Sequence, residues 1–387
     1  MSIKKYFKSL DDMIFQEIRL NDKKIKLHLI TPYHKKYKSS FTLVIEGYSF
    51  LRLKGINGAI MYEFLKETRE IQSYDDKSLA NIATKVSNTL TEYFPLILAE
   101  DMKKSLYDML DEIAKRLRHE KNDGILKDVN RYSYTMHYQR AFGIRVLKNF
   151  DFTNLKRAYD TFKLLKKNNI FVVEYDNECY NKNSYLELLS LNKTMYQALN
   201  VKDSFPLKEL GSLKNNGLDS IILDIDTIDP KTLGITKETT SFVKAVISND
   251  LRVIANIHVE TESIDYLKII KELHNLGVYS FNIYVNDHLI DKEVIFKRLY
   301  FYMNMYHFDI SLNTNSVIPQ KEAKRMNMNL GYQEEGVSWY YLGNNDGLFL
   351  DSKLDNPCGN INHMTLEECF LHKNSKKERK IKKLRVK

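Results

Sequence analysis

Apolar and polar positions alternate with a period of two over Ile25-Lys26-Leu27-His28-Leu29-Ile30, and again over Thr42-Leu43-Val44-Ile45 and Tyr48-Ser49-Phe50-Leu51-Arg52-Leu53. Side chains of a strand point alternately to its two faces, so this pattern predicts strands with one buried face. Glu46-Gly47 sits where a hairpin would turn, with Gly47 free to take a positive φ. The period then changes to that of helices. Ile60, Met61, Phe64 and Leu65 give one apolar stripe, Leu79, Ile82, Ala83, Val86 and Leu90 a second, and Met102, Leu106, Met109, Leu110, Ile113 and Leu117 a third. Strands followed by three helices predict an α+β module over residues 1–124, closing at Asp123-Gly124.

Beyond Arg131 strand and helix patterns alternate. Strands are predicted over Tyr132–Tyr138, Ile170–Val173, Thr194–Val201, Leu218–Leu223, Leu251–Ala255 and Tyr279–Val285. Between them, Leu155, Ala158, Tyr159, Phe162 and Leu165 mark a helix, as do Tyr185–Leu189, Phe242–Ile247, and Ile264 through Leu276 up to Gly277. This spacing predicts a parallel sheet with right-handed crossovers over 125–315, either a barrel or a doubly wound sheet.

Charge changes the picture at one place. The chain has 387 residues, 43% of them apolar, and a formal charge of +9. Residues 373–387 hold nine Lys/Arg against Glu378, which leaves about +1 for the rest. A frayed, solvated basic segment is the expectation; without an aromatic residue to stack on bases, nucleic acid is disfavoured as a partner. No apolar run approaches the length of a membrane span, and the basic start lacks an apolar signal core, so a cytoplasmic protein without membrane insertion is expected. Cys179, Cys358 and Cys369 form no closely spaced pair, which disfavours metal fingers and disulfide frameworks.

Three stretches carry a family resemblance: Gly217-Leu218-Asp219-Ser220-Ile221-Ile222-Leu223-Asp224-Ile225-Asp226; Val253 to Val259 with Ile264-Asp265-Tyr266-Leu267 and Leu276-Gly277-Val278-Tyr279-Ser280-Phe281; and Asn356-Pro357-Cys358-Gly359-Asn360-Ile361 running to Thr365-Leu366-Glu367-Glu368. Together they resemble the radical SAM peptide maturases with a SPASM extension. The resemblance implies an α/β fold: a partial parallel (β/α) barrel, an N-terminal winged-helix-like α+β module that recognises peptide, and a small SPASM-like cap over 316–372. It implies a precursor peptide and a maturation partner protein as partners, with Phe50, Leu51, Arg52 and Leu53 and the helix Met102–Leu117 gripping the peptide. The family's Cys-x3-Cys-x2-Cys is missing, since Tyr132 to Arg140 contains no cysteine. No cofactor is therefore expected; a [4Fe–4S] cluster and SAM would need ligands from an unconventional source. A cluster-less pseudoenzyme is the resulting expectation.

A second reading starts from Asp224-Ile225-Asp226-Thr227-Ile228-Asp229-Pro230, which resembles the D-x-D-x-x-D-P signature of arginase-like ureohydrolases. Carboxylates two apart at a strand end project to one side and could share a hard metal, giving a metal-dependent hydrolase built on Asp224 and Asp226. The family's companion G-G-D-H and D-A-H-x-D loops are absent. Strand-end positions nominate Tyr134, His137, Glu178, Asp224, Asp226, Asn256 and His258 as the lining of a barrel mouth, with Glu260 and His288 nearby in sequence. Thr365 and Glu368 form the spacing of a helix capping box.

Overall fold

The computed structural model describes residues 3–20, 23–32, 40–68, 76–120, 126–129, 141–181, 184–226, 228–259, 266–285, 308–313, 329–330 and 335–385. The chain divides into two compact units, Met1–Val129 and Asn130–Lys387.

In the first unit, α1 (Ile3–Lys8) precedes β1 (Met13–Leu20), β2 (Lys23–Ile30), β3 (Ser40–Ile45) and β4 (Ser49–Lys54). The helices α2 (Ile56–Glu67), α3 (Asp76–Thr91) and α4 (Ala99–Leu117) follow, and β5 (Lys127–Asp128) closes the unit. The five strands pair in chain order, all antiparallel. The β3–β4 hairpin turns on Glu46 and Gly47 at φ 50 and 73, two successive left-handed residues whose twist matches that of the strands they join. One face of the sheet presents Leu27, Leu29, Leu43, Leu51 and Leu53 to Ile60, Phe64, Val86, Met102, Leu106 and Ile113 of the helices. The order of strands then helices is as the periodicity predicts. The winged-helix description needs correction, because a five-stranded meander, not a small wing, forms the floor under the helices. β1 escaped the sequence reading because Met13-Ile14-Phe15-Gln16-Glu17 does not alternate.

In the second unit, β6 (Gly143–Val146), α5 (Leu155–Lys167), β7 (Val172–Tyr175), α6 (Tyr185–Leu191), β8 (Tyr196–Lys202), α7 (Leu210–Asn215), β9 (Ser220–Ile225), α8 (Lys237–Ser248), β10 (Arg252–Val259), α9 (Tyr266–Asn275) and β11 (Ser280–Val285) alternate strand and helix. After them come β12 (Asp309–Asn313), β13 (Asn329–Leu330), β14 (Trp339–Leu342), β15 (Gly347–Phe349), β16 (Pro357–Asn360), α10 (Leu366–Leu371) and α11 (Lys373–Arg385). The sheet runs β13-β12-β11-β10-β9-β8-β7-β6-β14-β15-β16. Neighbours from β13 to β14 are parallel, and β15 and β16 continue it antiparallel. The strand expected over Tyr132–Tyr138 lies outside the described residues; the first described strand of this sheet is β6.

In this unit all the described helices with core residues pack on one face of the sheet. Ile144, Val173, Leu199, Ile221, Ala255 and Phe281 share a core with Phe162, Leu165, Leu189, Leu213, Phe242, Val246, Ile270 and Leu273. Strand residues of the opposite parity, such as Arg145, Glu174, Ser220 and Asn256, are outside that core. A doubly wound sheet would bury both faces under helices, so the arrangement is that of a barrel wall. Chain length demands curvature as well. Leu330 ends β13 and Trp339 begins β14, so the connection reaches at most about 32 Å. Eight strand spacings in a flat sheet would separate them by about 38 Å. The sheet curls, although no described pairing joins β13 to β14.

The segment expected to form a SPASM-like cap is also corrected. β14 lies against β6, with Trp339 opposite Gly143 and Leu342 opposite Val146, and β15 and β16 extend the same sheet. Asp346 fastens this return. Its buried carboxylate accepts hydrogen bonds from Arg157 Nε at 2.7 Å, Thr161 Oγ1 at 3.1 Å and Asn362 Nδ2 at 2.7 Å. α10 opens on the capping box read from the sequence: Thr365 Oγ1 accepts from the Glu368 amide and Glu368 Oε2 from the Thr365 amide.

Two substitutions test this packing. Gly143 leaves room for the Trp339 ring; an added Cβ would stand 2.4 Å from it. Gly143→Ala is expected to cost about 1–3 kcal/mol in denaturant unfolding, with part of the loss recovered by Trp339→Leu. Asp346→Ala removes the partner of buried Thr161 and leaves Arg157 with Asp151 alone among the described residues, and is expected to cost about 1–3 kcal/mol in the same measurement.

Candidate functional site

Parallel strands with helices on one face leave the other face to whatever the alternating residues supply. Barrel interiors are commonly filled with Val, Ile and Leu. This one is polar. In register across β8 to β12 lie Lys202, Asp224, Asn256, Asn282 and Ser311. Asn282 Nδ2 donates to Asn256 Oδ1 at 2.8 Å, and Asn256 Nδ2 donates to Asp224 Oδ1 at 2.6 Å. Among the described residues Asp224 Oδ2 accepts no hydrogen bond. Burial pushes the Asp224 carboxyl above the ordinary range; the amide of Asn256 opposes this, the Asp226 charge adds to it, and His258 and Lys202 oppose it. One pleat further along, His258 and Tyr284 are opposite each other and stack, with centroids 4.7 Å apart and ring planes 9° from parallel.

A second cluster lies where β14 returns to β6. Arg145 donates from Nε to Glu174 Oε2 at 2.8 Å, and from Nη1 to Glu335 Oε1 at 3.1 Å and to the Tyr341 hydroxyl at 2.9 Å. Tyr341 donates in turn to Glu335 Oε1 at 2.6 Å. The guanidinium sits 4.9 Å from the Trp339 ring centroid and 5.6 Å from that of Tyr341. Burial works against its charge, but Tyr341, Glu174, Glu335 and Tyr284 outweigh it. The neighbouring carboxylates hold the half-buried guanidinium in its charged form.

The clusters face each other. The Tyr284 phenol, pushed up to about 12 by burial, is held lower by Arg145 and raised by Glu174, Glu335 and Asp224. Tyr284 is on β11, five strands from Arg145 on β6. In a flat sheet that interval is about 24 Å, too far for such influence through a protein. Curling places both clusters around one concave region. Asn200 Oδ1, Ser220 Oγ and Trp339 Nε1, on the same face, are buried without a hydrogen-bond partner among the described residues.

The residues nominated from sequence are distributed as follows. Asp224, Asn256 and His258 share the concave face. Asp226, just past the end of β9, pairs with Lys202 Nζ at 2.8 Å. Glu178 lies in the turn Asn177–Asn181 and its carboxylate meets Lys148 Nζ at 2.8 Å. Tyr134, His137, Glu260 and His288 lie outside the described residues. Among the described residues no three His, Cys, Asp or Glu side chains converge on a metal position. Cys179, Cys358 and Cys369 are buried thiols, and that of Cys358 donates to Leu348 O at 3.3 Å. In the first unit Phe50, Leu51 and Leu53 are buried and Arg52 is exposed. β5 pairs with Leu51 and Arg52, and the Val129 amide donates to Phe50 O. A strand added along that edge would have to displace β5. Arg145, Glu174, Tyr284, Glu335 and Tyr341 were not nominated as site residues; only the polar parity positions in Gly143-Ile144-Arg145-Val146 and Val172-Val173-Glu174-Tyr175 signalled the first two.

No family model matches the chain, and no curated protein matches it. Solved structures with a similar course include the carboxyl transferase domain from Rhizobium etli pyruvate carboxylase with 3-bromopyruvate, at 10% identity and a TM-score of 0.37 over 64% of this chain and 49% of that one. KGPDC from Streptococcus mutans gives 12% identity and a TM-score of 0.35 over 62% of this chain and 97% of that one. A phosphonomutase-like structure from Burkholderia cenocepacia gives 9% and 0.32 over 48% and 85%. The chain thus spans about half the length of the carboxyl transferase structures. None of the three is named as a radical SAM or SPASM maturase and no family model supports that resemblance, so the assignment drawn from the sequence is corrected: the chain is not placed in that family. No described helix is long and apolar enough to cross a membrane.

The raised Asp224 carboxyl has a stability signature. A folded-state pKa above the unfolded one stabilises the native chain at pH values below the unfolded pKa, near about 3.9, and that contribution is lost as pH rises through the folded pKa. Asp224→Asn keeps an oxygen to accept from Asn256 and removes the charge. Its melting temperature is expected to equal that of the unsubstituted protein near pH 3.5 and to exceed it by about a few degrees at pH 7. A lower melting temperature at pH 7 would show that the carboxylate is favoured by the fold.

Proposed function

We propose that the second unit is an acid–base enzyme that holds a small polar molecule against its concave face and moves a proton at Asp224. The observation carrying this reading is the state of that carboxyl. It is partly buried, its pKa is raised, one oxygen is fixed by the Asn282–Asn256 amide chain, and the other makes no hydrogen bond among the described residues. A carboxyl raised toward neutrality both accepts and returns protons more readily than an ordinary one. The orphaned Asn200, Ser220 and Trp339 atoms supply an acceptor and donors of the kind that a hydroxyl- or carbonyl-bearing ligand satisfies.

Metal-dependent hydrolysis through Asp224 and Asp226 is the weaker form of this reading. It needs both carboxylates on one ion, and they are directed to different partners, Asn256 and Lys202.

The test is a thermal-shift survey of polyols, sugars, hydroxy ketones and amino compounds, followed by proton NMR in deuterated water with each stabilising compound. Solvent deuterium is expected to enter the bound compound, and Asp224→Asn is expected to slow this by about 10²-fold or more. Exchange that survives in Asp224→Asn would overturn the assignment. Exchange abolished by a chelator and restored by Mn²⁺ would favour the metal form.

A further inference from the structure

Residues 373–385 form a helix, not the frayed segment expected from composition. Its inner side is fastened. Ser375 is buried and donates to Cys369 O at 2.6 Å, Arg379 Nη1 donates to Phe370 O at 2.5 Å, and the Arg379 guanidinium lies 3.5 Å from the Phe370 ring centroid. Glu378, the helix's one acid, has its Cγ beside Gly336. Asn374 Nδ2 donates to Pro357 O at 3.0 Å.

The outer side is a stripe of one charge. Lys373, Lys376, Lys377 and Lys380 are all exposed. Their spacing of i, i+3, i+4 and i+7 puts them in one line along about 10 Å of helix. None of the four makes an ion pair among the described residues. Fixing like charges side by side on a docked helix is unfavourable unless a polyanion shares them.

We propose that this lysine stripe is a docking surface for the phosphate backbone of double-stranded nucleic acid. Several observations choose this partner. Lysines act as point charges and lack the fork that reads bases, which suits backbone contact without sequence preference. The stripe has no aromatic side chain for unstacked bases, so a duplex fits better than a single strand. Among the described side chains, the exposed apolar ones next to it in sequence are Leu371 and Ile381, too few to insert into a lipid surface. The remainder of the chain is nearly neutral, so attraction to a polyanion is concentrated on this element.

The experiment is fluorescence anisotropy of a labelled mixed-sequence duplex of about 25 base pairs, titrated with the full chain over a range of NaCl concentrations. The comparison is a variant carrying Lys373→Gln, Lys376→Gln, Lys377→Gln and Lys380→Gln, with its thermal melt as a control for folding. The slope of log affinity against log salt is expected to fall by about 0.9 per lysine replaced, about 3.6 in all. Phosphatidylcholine vesicles doped with phosphatidylserine, and polyglutamate, form the competing arms. No duplex binding at low salt, a slope unchanged in the variant, or tighter binding to vesicles or polyglutamate would each overturn the proposal.

Discussion

The second unit depends on the return of β14 to β6. Everything between these strands is local in sequence, each crossover feeding the next parallel strand, and such a series could equally well lie flat. What bends it is the short link from Leu330 to Trp339, which joins opposite ends of the parallel array. The seam forms because Gly143 has no side chain and Trp339 occupies that space, with Phe142 packed edge-on to the indole. Asp346 then ties the next turn to α5 through Arg157 and Thr161. Close packing makes such a seam intolerant of small additions, because neighbours in a dense interior have nowhere to move.

The seam has a chemical consequence. It brings Glu335, Trp339 and Tyr341 to Arg145 and Glu174, and the curl turns this cluster toward Asp224 and Tyr284. Arg145, Tyr284 and Tyr341 are perturbed by their charged neighbours because water is partly excluded between them. An interior of aliphatic side chains would be the more stable solution for a wall of this kind. Retaining Arg145, Glu174, Asp224, Asn256 and Asn282 on one face instead is the trade that the proposed function implies, a site held at some cost to stability.

Much of the fold was legible because its signals are local. The strands β2 to β4 and β8 to β11 alternate or run apolar, the helices α4, α5 and α9 show clean stripes, and Thr365 and Glu368 declare their cap. Asp224, Asn256 and His258 were legible as polar residues at strand ends. The Arg145 cluster was not, since Arg145 and Glu335 are 190 residues apart and no periodicity connects them. The family resemblance failed for a related reason. Within Pro357 to Asn360 the chain makes a strand, Cys358 donates to Leu348 O, and Asn360 Nδ2 donates to Asn345 O. A turn and a capped helix follow. Those local requirements are enough to account for a string like Cys-Gly-Asn-Ile with Leu-Glu-Glu behind it, so the string describes a strand and a cap.

The amide chain behind Asp224 limits what its proton can do. Asn282 donates to Asn256 and Asn256 to Asp224, so both amides are oriented toward one carboxyl oxygen, Oδ1. An amide N–H does not ionise in this range, so the chain cannot carry a proton away through the sheet. Under the proposed function the proton is therefore taken up and released at Oδ2, which leaves the chain's hydrogen bonds in place in both states. The carboxyl keeps its position while its charge changes, which is the preorganisation that proton transfer to a bound molecule requires. The same reasoning gives Asn256 a positioning role under the proposed function: its amide opposes the desolvation of the carboxylate and so favours the ionised form of Asp224.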